Sequence, residues 1–121
     1  WGNIDGGPLR LAYPEHHHFT LEGVRVWITH IAGKPPRYTP AVLQKLRTAP
    51  TDLFICGHSH ICAVQYDKTV GCLYMNPGAA GNQGWHQVRT VLRFVLDAGQ
   101  VKELEVVELG KRGAMNPTGD R

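Results

Sequence analysis

Asp52-Leu53-Phe54-Ile55-Cys56-Gly57-His58-Ser59-His60 is the stretch around which the rest of the chain is read. Leu53 to Cys56 is a short apolar run, the pattern of a strand buried on both faces. Gly57 breaks the run and two imidazoles follow at i, i+2. In an extended segment that spacing puts both rings on one side. Imidazole is the commonest metal ligand near neutral pH, and open α/β sheets place their sites at the carboxyl ends of strands. Alone, a His-x-His is equally well a polar turn with two solvated histidines, so the neighbours have to decide.

Working towards the amino end, Pro50 closes a helix that Thr39-Pro40 opens, threonine as N-cap and proline at the first helical position. Val42, Leu43 and Leu46 form its apolar stripe. Before it, Ile31 to Tyr38 carries Gly33 and Pro35-Pro36 and reads as a loop. Val24 to Thr29 is a strand by β-branched content and alternation, and it ends at His30. Phe19 to Leu21 reads as a short strand closed by Glu22-Gly23. His16-His17-His18 reads as a solvated polar loop, Leu9 to Pro14 as irregular, and Trp1 to Gly7 as a glycine-rich loop.

Towards the carboxyl end, Ile61–Tyr66 and Gly71–Met75 are strands joined by Asp67-Lys68-Thr69. Asn76-Pro77-Gly78-Ala79-Ala80-Gly81-Asn82 is a loop of turn formers. Val88–Leu96 and Val101–Leu109 alternate as a hairpin across Asp97-Ala98-Gly99-Gln100, with Gly99 available for positive φ. Residues 110–121 show no pattern and read as a flexible tail. The expected domain therefore covers 1–109. His86, beside Trp85, reads as a surface histidine ahead of one that touches substrate, and Trp27, out of phase with Val26 and Ile28, as a core or interface residue ahead of a substrate platform. The expected fold class is α/β: two packed mixed β-sheets with flanking helices.

The 121 residues suit one domain. A net charge of +3 suits an anionic small-molecule substrate. No basic cluster with interleaved aromatics marks a nucleic-acid surface, and no run approaches the roughly 18 apolar residues of a membrane helix. Cys56, Cys62 and Cys72 form no Cys-x-x-Cys pair and read as free thiols of a reducing, cytoplasmic compartment.

Four segments share one grammar, a strand or loop ending in metal-type donors: Gly2-Asn3-Ile4-Asp5, Thr29-His30, Gly57-His58-Ser59-His60 and Asn76-Pro77-Gly78. In this order they resemble the later motifs of the calcineurin-like metallophosphoesterases. Within that family they are similar to the small bacterial and archaeal phosphodiesterases, which share a fold with a retromer subunit. The resemblance runs to about Leu109. It implies that Asn3, His30 and His58 bind one divalent ion and His60 a second. Asp5 would orient a ligand or a bound water, with His58 also at the reacting centre, and Asn76 and Gly78 would shape the adjoining loop. It implies hydrolysis of phosphodiester or phosphomonoester substrates by a metal-held hydroxide, with manganese ahead of zinc, iron or nickel. The family's Asp-x-His and Gly-Asp motifs are absent from Trp1–Arg121, so at most one ion is expected here. The missing segment would be supplied in trans, an oligomer would cover its place, or the core would be rearranged. Ile4 stands where many relatives carry a histidine that protonates the leaving oxygen, which favours esters with good leaving groups. The alternative is a non-catalytic protein-binding scaffold of the same fold.

Overall fold

The computed structural model describes Gly2 and residues 5–113. The elements in order are α1 (Gly7–Ala12), β1 (His16–Leu21), β2 (Val24–Thr29), β3 (Gly33–Lys34), β4 (Arg37–Tyr38), α2 (Pro40–Thr48), β5 (Leu53–Ile55), β6 (Ala63–Asp67), β7 (Cys72–Asn76), β8 (Val88–Asp97) and β9 (Gln100–Lys111). Five strands form one mixed sheet in the order β1-β2-β5-β7-β6. Its centre, β2-β5-β7, is parallel, and both edges pair antiparallel.

The parallel centre explains why Leu53 to Cys56 is continuously apolar: it is covered on both faces. On one face Trp27, Phe54, Tyr74, Cys56 and Cys72 pack beneath Val42 and Leu46 of α2. Those two α2 residues lie at i, i+4, and helix geometry puts them on one stripe. Pro40 begins the helix and Thr39 precedes it with extended backbone, though its side chain makes no capping bond. On the other face Val24, Val26, Leu53 and Met75 meet Leu92, Phe94, Leu96, Val101 and Leu104 of the β8–β9 hairpin. Alternation along β2 thus splits its residues: Val24 and Val26 to the hairpin, Trp27 to the helix. The hairpin turns at Ala98 and Gly99, both with positive φ, as two-residue loops prefer.

The result is a mixed α/β fold in which a mixed sheet is packed between a helix and a second, two-stranded sheet. Three local expectations change. Leu9 to Pro14 is not irregular throughout: Gly7 starts the short helix α1, with Pro8 in its first turn, and the helix buries none of its residues. His16-His17-His18 is not a loop but the start of β1, because β2 offers a full edge and pairs His16 with Thr29 through to Leu21 with Val24. Two of those histidines also find a partner in Trp27, whose Nε1–H donates to His16 Nδ1 at 3.2 Å and whose ring stacks on His18. Within Ile31 to Tyr38, β3 and β4 form a minimal hairpin. Strand β9 runs to Lys111; residues 114–121 lie outside the described residues.

The hairpin covers only part of its face. Val26 is buried, but Ile28, two residues on and on the same face, is 38% exposed. Ile28 and Ile55 line an open cleft of about 500 Å³ with Tyr13, Pro14 and Pro77. The carboxyl ends of the central strands are therefore accessible, and the histidines sit there.

Candidate metal centre

Parallel pairing of β2 with β5 puts Ile28 opposite Ile55. The residues that follow, His30 and Gly57-His58, must then lie side by side. The Gly57 N–H donates to the His30 carbonyl at 3.0 Å, extending the pairing past the strands. The His30 and His58 rings meet edge to face with centres 5.2 Å apart.

The expectation that His58 and His60 share one side of an extended segment is not met. Both have left-handed backbone, φ 72 and φ 65. For non-glycine residues that conformation costs on the order of 1–2 kcal/mol each. A buried amide holds the turn. Asn76, at the end of β7, donates from Nδ2 to the Gly57 carbonyl at 3.2 Å and to Ser59 Oγ at 3.0 Å, while its Oδ1 accepts from Gly78 N–H at 2.9 Å. The Ile61 N–H donates to Ser59 Oγ. The turn sends the two rings apart: His58 goes to His30, and His60 goes to His86, with centres 5.2 Å apart and planes at 76°.

His30, His58, His60 and Asp5 nevertheless line one cavity of about 610 Å³, with Ser59 and Trp85 among its other walls. Asp5 Oδ2 accepts from the Gly2 N–H at 2.7 Å. Trp85 is 94% exposed at the rim. The pKa of His30 is lowered, first by burial and then by His58 and His60, with Asp5 opposing. A ring kept neutral keeps a lone pair to donate. Asn3 and Ile4 lie outside the described residues.

Sequence reading placed His86 at the surface. It is not a surface residue but 2% exposed. Its Nε2 lies 2.9 Å from the Gly81 carbonyl. Only Gly84 two residues earlier hinted at a close approach. That glycine has φ +130, and a Cβ there would overlap Nδ1 of His60.

The donors can be tested against a divalent ion. Two imidazoles on one tetrahedral ion at 2.0–2.1 Å have ring centres about 5 Å apart. The His30–His58 separation meets that requirement. Among the described residues no three His, Cys, Asp or Glu side chains close around a single point. His30 and His58 form an open pair rather than a closed cage of donors.

Residues 1–99 match the family model of the calcineurin-like phosphoesterase superfamily domain. The chain belongs to this superfamily. Calcineurin-like phosphoesterases generally bind divalent metals. No curated protein matches the chain. Among solved structures it is similar to the Thermotoga maritima protein TM1076, with TM-score 0.62 and 23% identity over 88% of this chain and 62% of that one. It is also similar to an archaeal phosphodiesterase, with TM-score 0.59 and 19% identity over 78% and 51%. A third is the Entamoeba histolytica Vps29 complexed with Zn²⁺, with TM-score 0.50 and 20% identity over 78% and 60%. At these identities the likeness is one of fold. The chain spans between half and two thirds of the length of each. Among the described residues no helix is long and apolar enough to cross a membrane.

Proposed function

We propose that the chain carries part of a metal-dependent phosphoesterase site for phosphodiesters, in which His30 and His58 hold a divalent ion together with Asn3. The observation that carries this reading is the 5.2 Å edge-to-face pairing of His30 with His58 at adjacent strand ends. Manganese leads among the ions, with zinc, iron or nickel behind it. The bound ion would supply Lewis-acid activation of water and charge neutralisation on the phosphoryl group.

The chain's own residues do the rest. His30 and His58 fix the seat. Asp5, on the same cavity wall, orients a donor or a water. Asn76 holds the His58 turn in its strained conformation before anything binds. Ile4 offers no proton to a leaving oxygen, so esters that leave as stable anions are favoured.

A manganese-stimulated assay with an aryl phosphodiester tests this. His58→Ala is expected to lower the manganese-dependent rate by at least about 100-fold, since it removes a ligand rather than a supporting contact. Turnover that survives the substitution would place catalysis elsewhere. The open apolar cleft around Ile28 and Ile55 favours a second reading, a scaffold whose partner covers that face. A scaffold predicts no rate to lose.

A further inference from the structure

We propose that His86 is a metal ligand and shares with His60 a second divalent-ion position, separate from the His30–His58 pair. This rests on the reading of His60 as a ligand but not on turnover.

Three observations carry it. First, the His60 and His86 rings stand 5.2 Å apart at 76°, close to the 5.2 Å and 81° of the His30–His58 pair. Both separations suit two imidazoles on one tetrahedral ion, about 5 Å between ring centres.

Second, His86 is held as metal-bound histidines are held. Its Nε2 lies 2.9 Å from the Gly81 carbonyl, which can only accept, so Nε2 carries the proton. In a neutral ring Nδ1 is then a bare lone pair. That atom is buried and has no hydrogen-bond partner among the described residues. A buried acceptor left unsatisfied is uncommon and costly. A ligand imidazole that donates its other N–H to a backbone carbonyl has just this arrangement. The backbone of His86 is fixed as well, because Arg112 Nε donates to its carbonyl at 2.6 Å.

Third, the absence of a side chain at Gly84 lets the chain close over the Nδ1 edge of His60. Packing occupies that edge and leaves Nε2 as the nitrogen for an ion. Two imidazoles with positions left for water or phosphate oxygen suit zinc, nickel or cobalt rather than calcium or magnesium.

The full chain, stripped with chelator and titrated with Zn²⁺, tests the proposal in two ways. In imidazole ¹⁵N spectra of the unaltered protein, Zn²⁺ is expected to shift the Nδ1 resonance of His86 together with one nitrogen of His60, while the His86 Nε2–H persists. In binding isotherms with Zn²⁺ and Co²⁺, two ions per chain are expected. His86→Gln should remove one ion and leave the other bound. Binding at His30 and His58 with His86 unmoved at saturation overturns this inference and leaves the proposed function standing. Binding of no ion at all overturns both. If His86→Gln does not fold, the spectra of the unaltered chain still decide.

Discussion

The two histidine pairs have nearly the same geometry and opposite origins. His30 and His58 meet because β2 and β5 are parallel neighbours, so His30, one step beyond β2, comes beside the Gly57-His58 turn that follows β5. His60 and His86 meet because two loops, one after β5 and one after β7, fold against each other through Gly84. Sheet pairing makes the first pair a consequence of the core. The second depends on local turns, and one extra methyl group is enough to separate it.

The largest effect is expected where the two origins join. Asn76 is 1% exposed and ties the Gly57-His58-Ser59 turn to the loop that begins at Pro77. Asn76→Ala leaves the Gly57 carbonyl and the Gly78 N–H, both part-buried, without their side-chain partner. At about 1–3 kcal/mol for each unsatisfied buried group, partly relieved by relaxation, the expected loss is roughly 2–4 kcal/mol in urea unfolding. Both pairs should loosen together, with zinc affinity falling at each. A variant that lost one pair and kept the other would show that Asn76 does not couple them.

Why one pair was legible and the other was not follows from this contrast. Hydrophobic runs mark strands, strands in a parallel sheet fix which ends are neighbours, and donors placed just after them stand out; His30 and His58 were visible for that reason. The helix after Pro40, the β8–β9 hairpin and the split of Val26 from Trp27 were legible on the same periodicities. His86 follows a glycine-rich loop with no period, and its burial comes from a tertiary closure that no local pattern encodes. The histidines of β1 failed in the opposite direction. Their polarity suggested a loop, yet an edge strand needs only backbone pairing and tolerates polar side chains on its open side. The His58-Ser59-His60 turn was misjudged as extended because its left-handed residues are stabilised by Asn76, sixteen residues beyond His60.

A smaller and more selective effect is expected at Gly84. Its φ of +130 is strained for any L residue, and a Cβ would overlap His60. Gly84→Ala should cost about 1–3 kcal/mol. It should displace His60 from His86 and leave the His30–His58 contact as it is. Histidine side-chain NMR read before and after substitution checks this: shifts confined to His60 and His86 support two independent pairs. Equal shifts at His30 and His58 would show one continuous cluster and end the distinction between them.

The smallest effect is expected at the other end of the same strands. Arg25 of β2 grips Asp52, just before β5, with Nε and Nη2 on the two carboxylate oxygens at 2.9 and 2.8 Å, and its backbone N–H adds a third bond. These contacts, the Arg25 side chain first, hold the Asp52 carboxyl below the ordinary carboxylate range, against burial. A depressed carboxyl pKa contributes stability that is present above the unfolded value, about 3.9, and is lost as pH falls through the lower folded value. Asp52→Asn should therefore lower stability slightly above about pH 4, leave it unchanged at strongly acid pH, and so flatten the acid limb of a stability–pH curve. The change should be small and shrink further in salt, because both side chains are partly exposed. It should leave both histidine pairs untouched, since the intervening sheet is pinned by Phe54 and Leu53 in the core. If the histidine resonances moved in this variant, strand register rather than the local loops would be setting the second pair as well as the first.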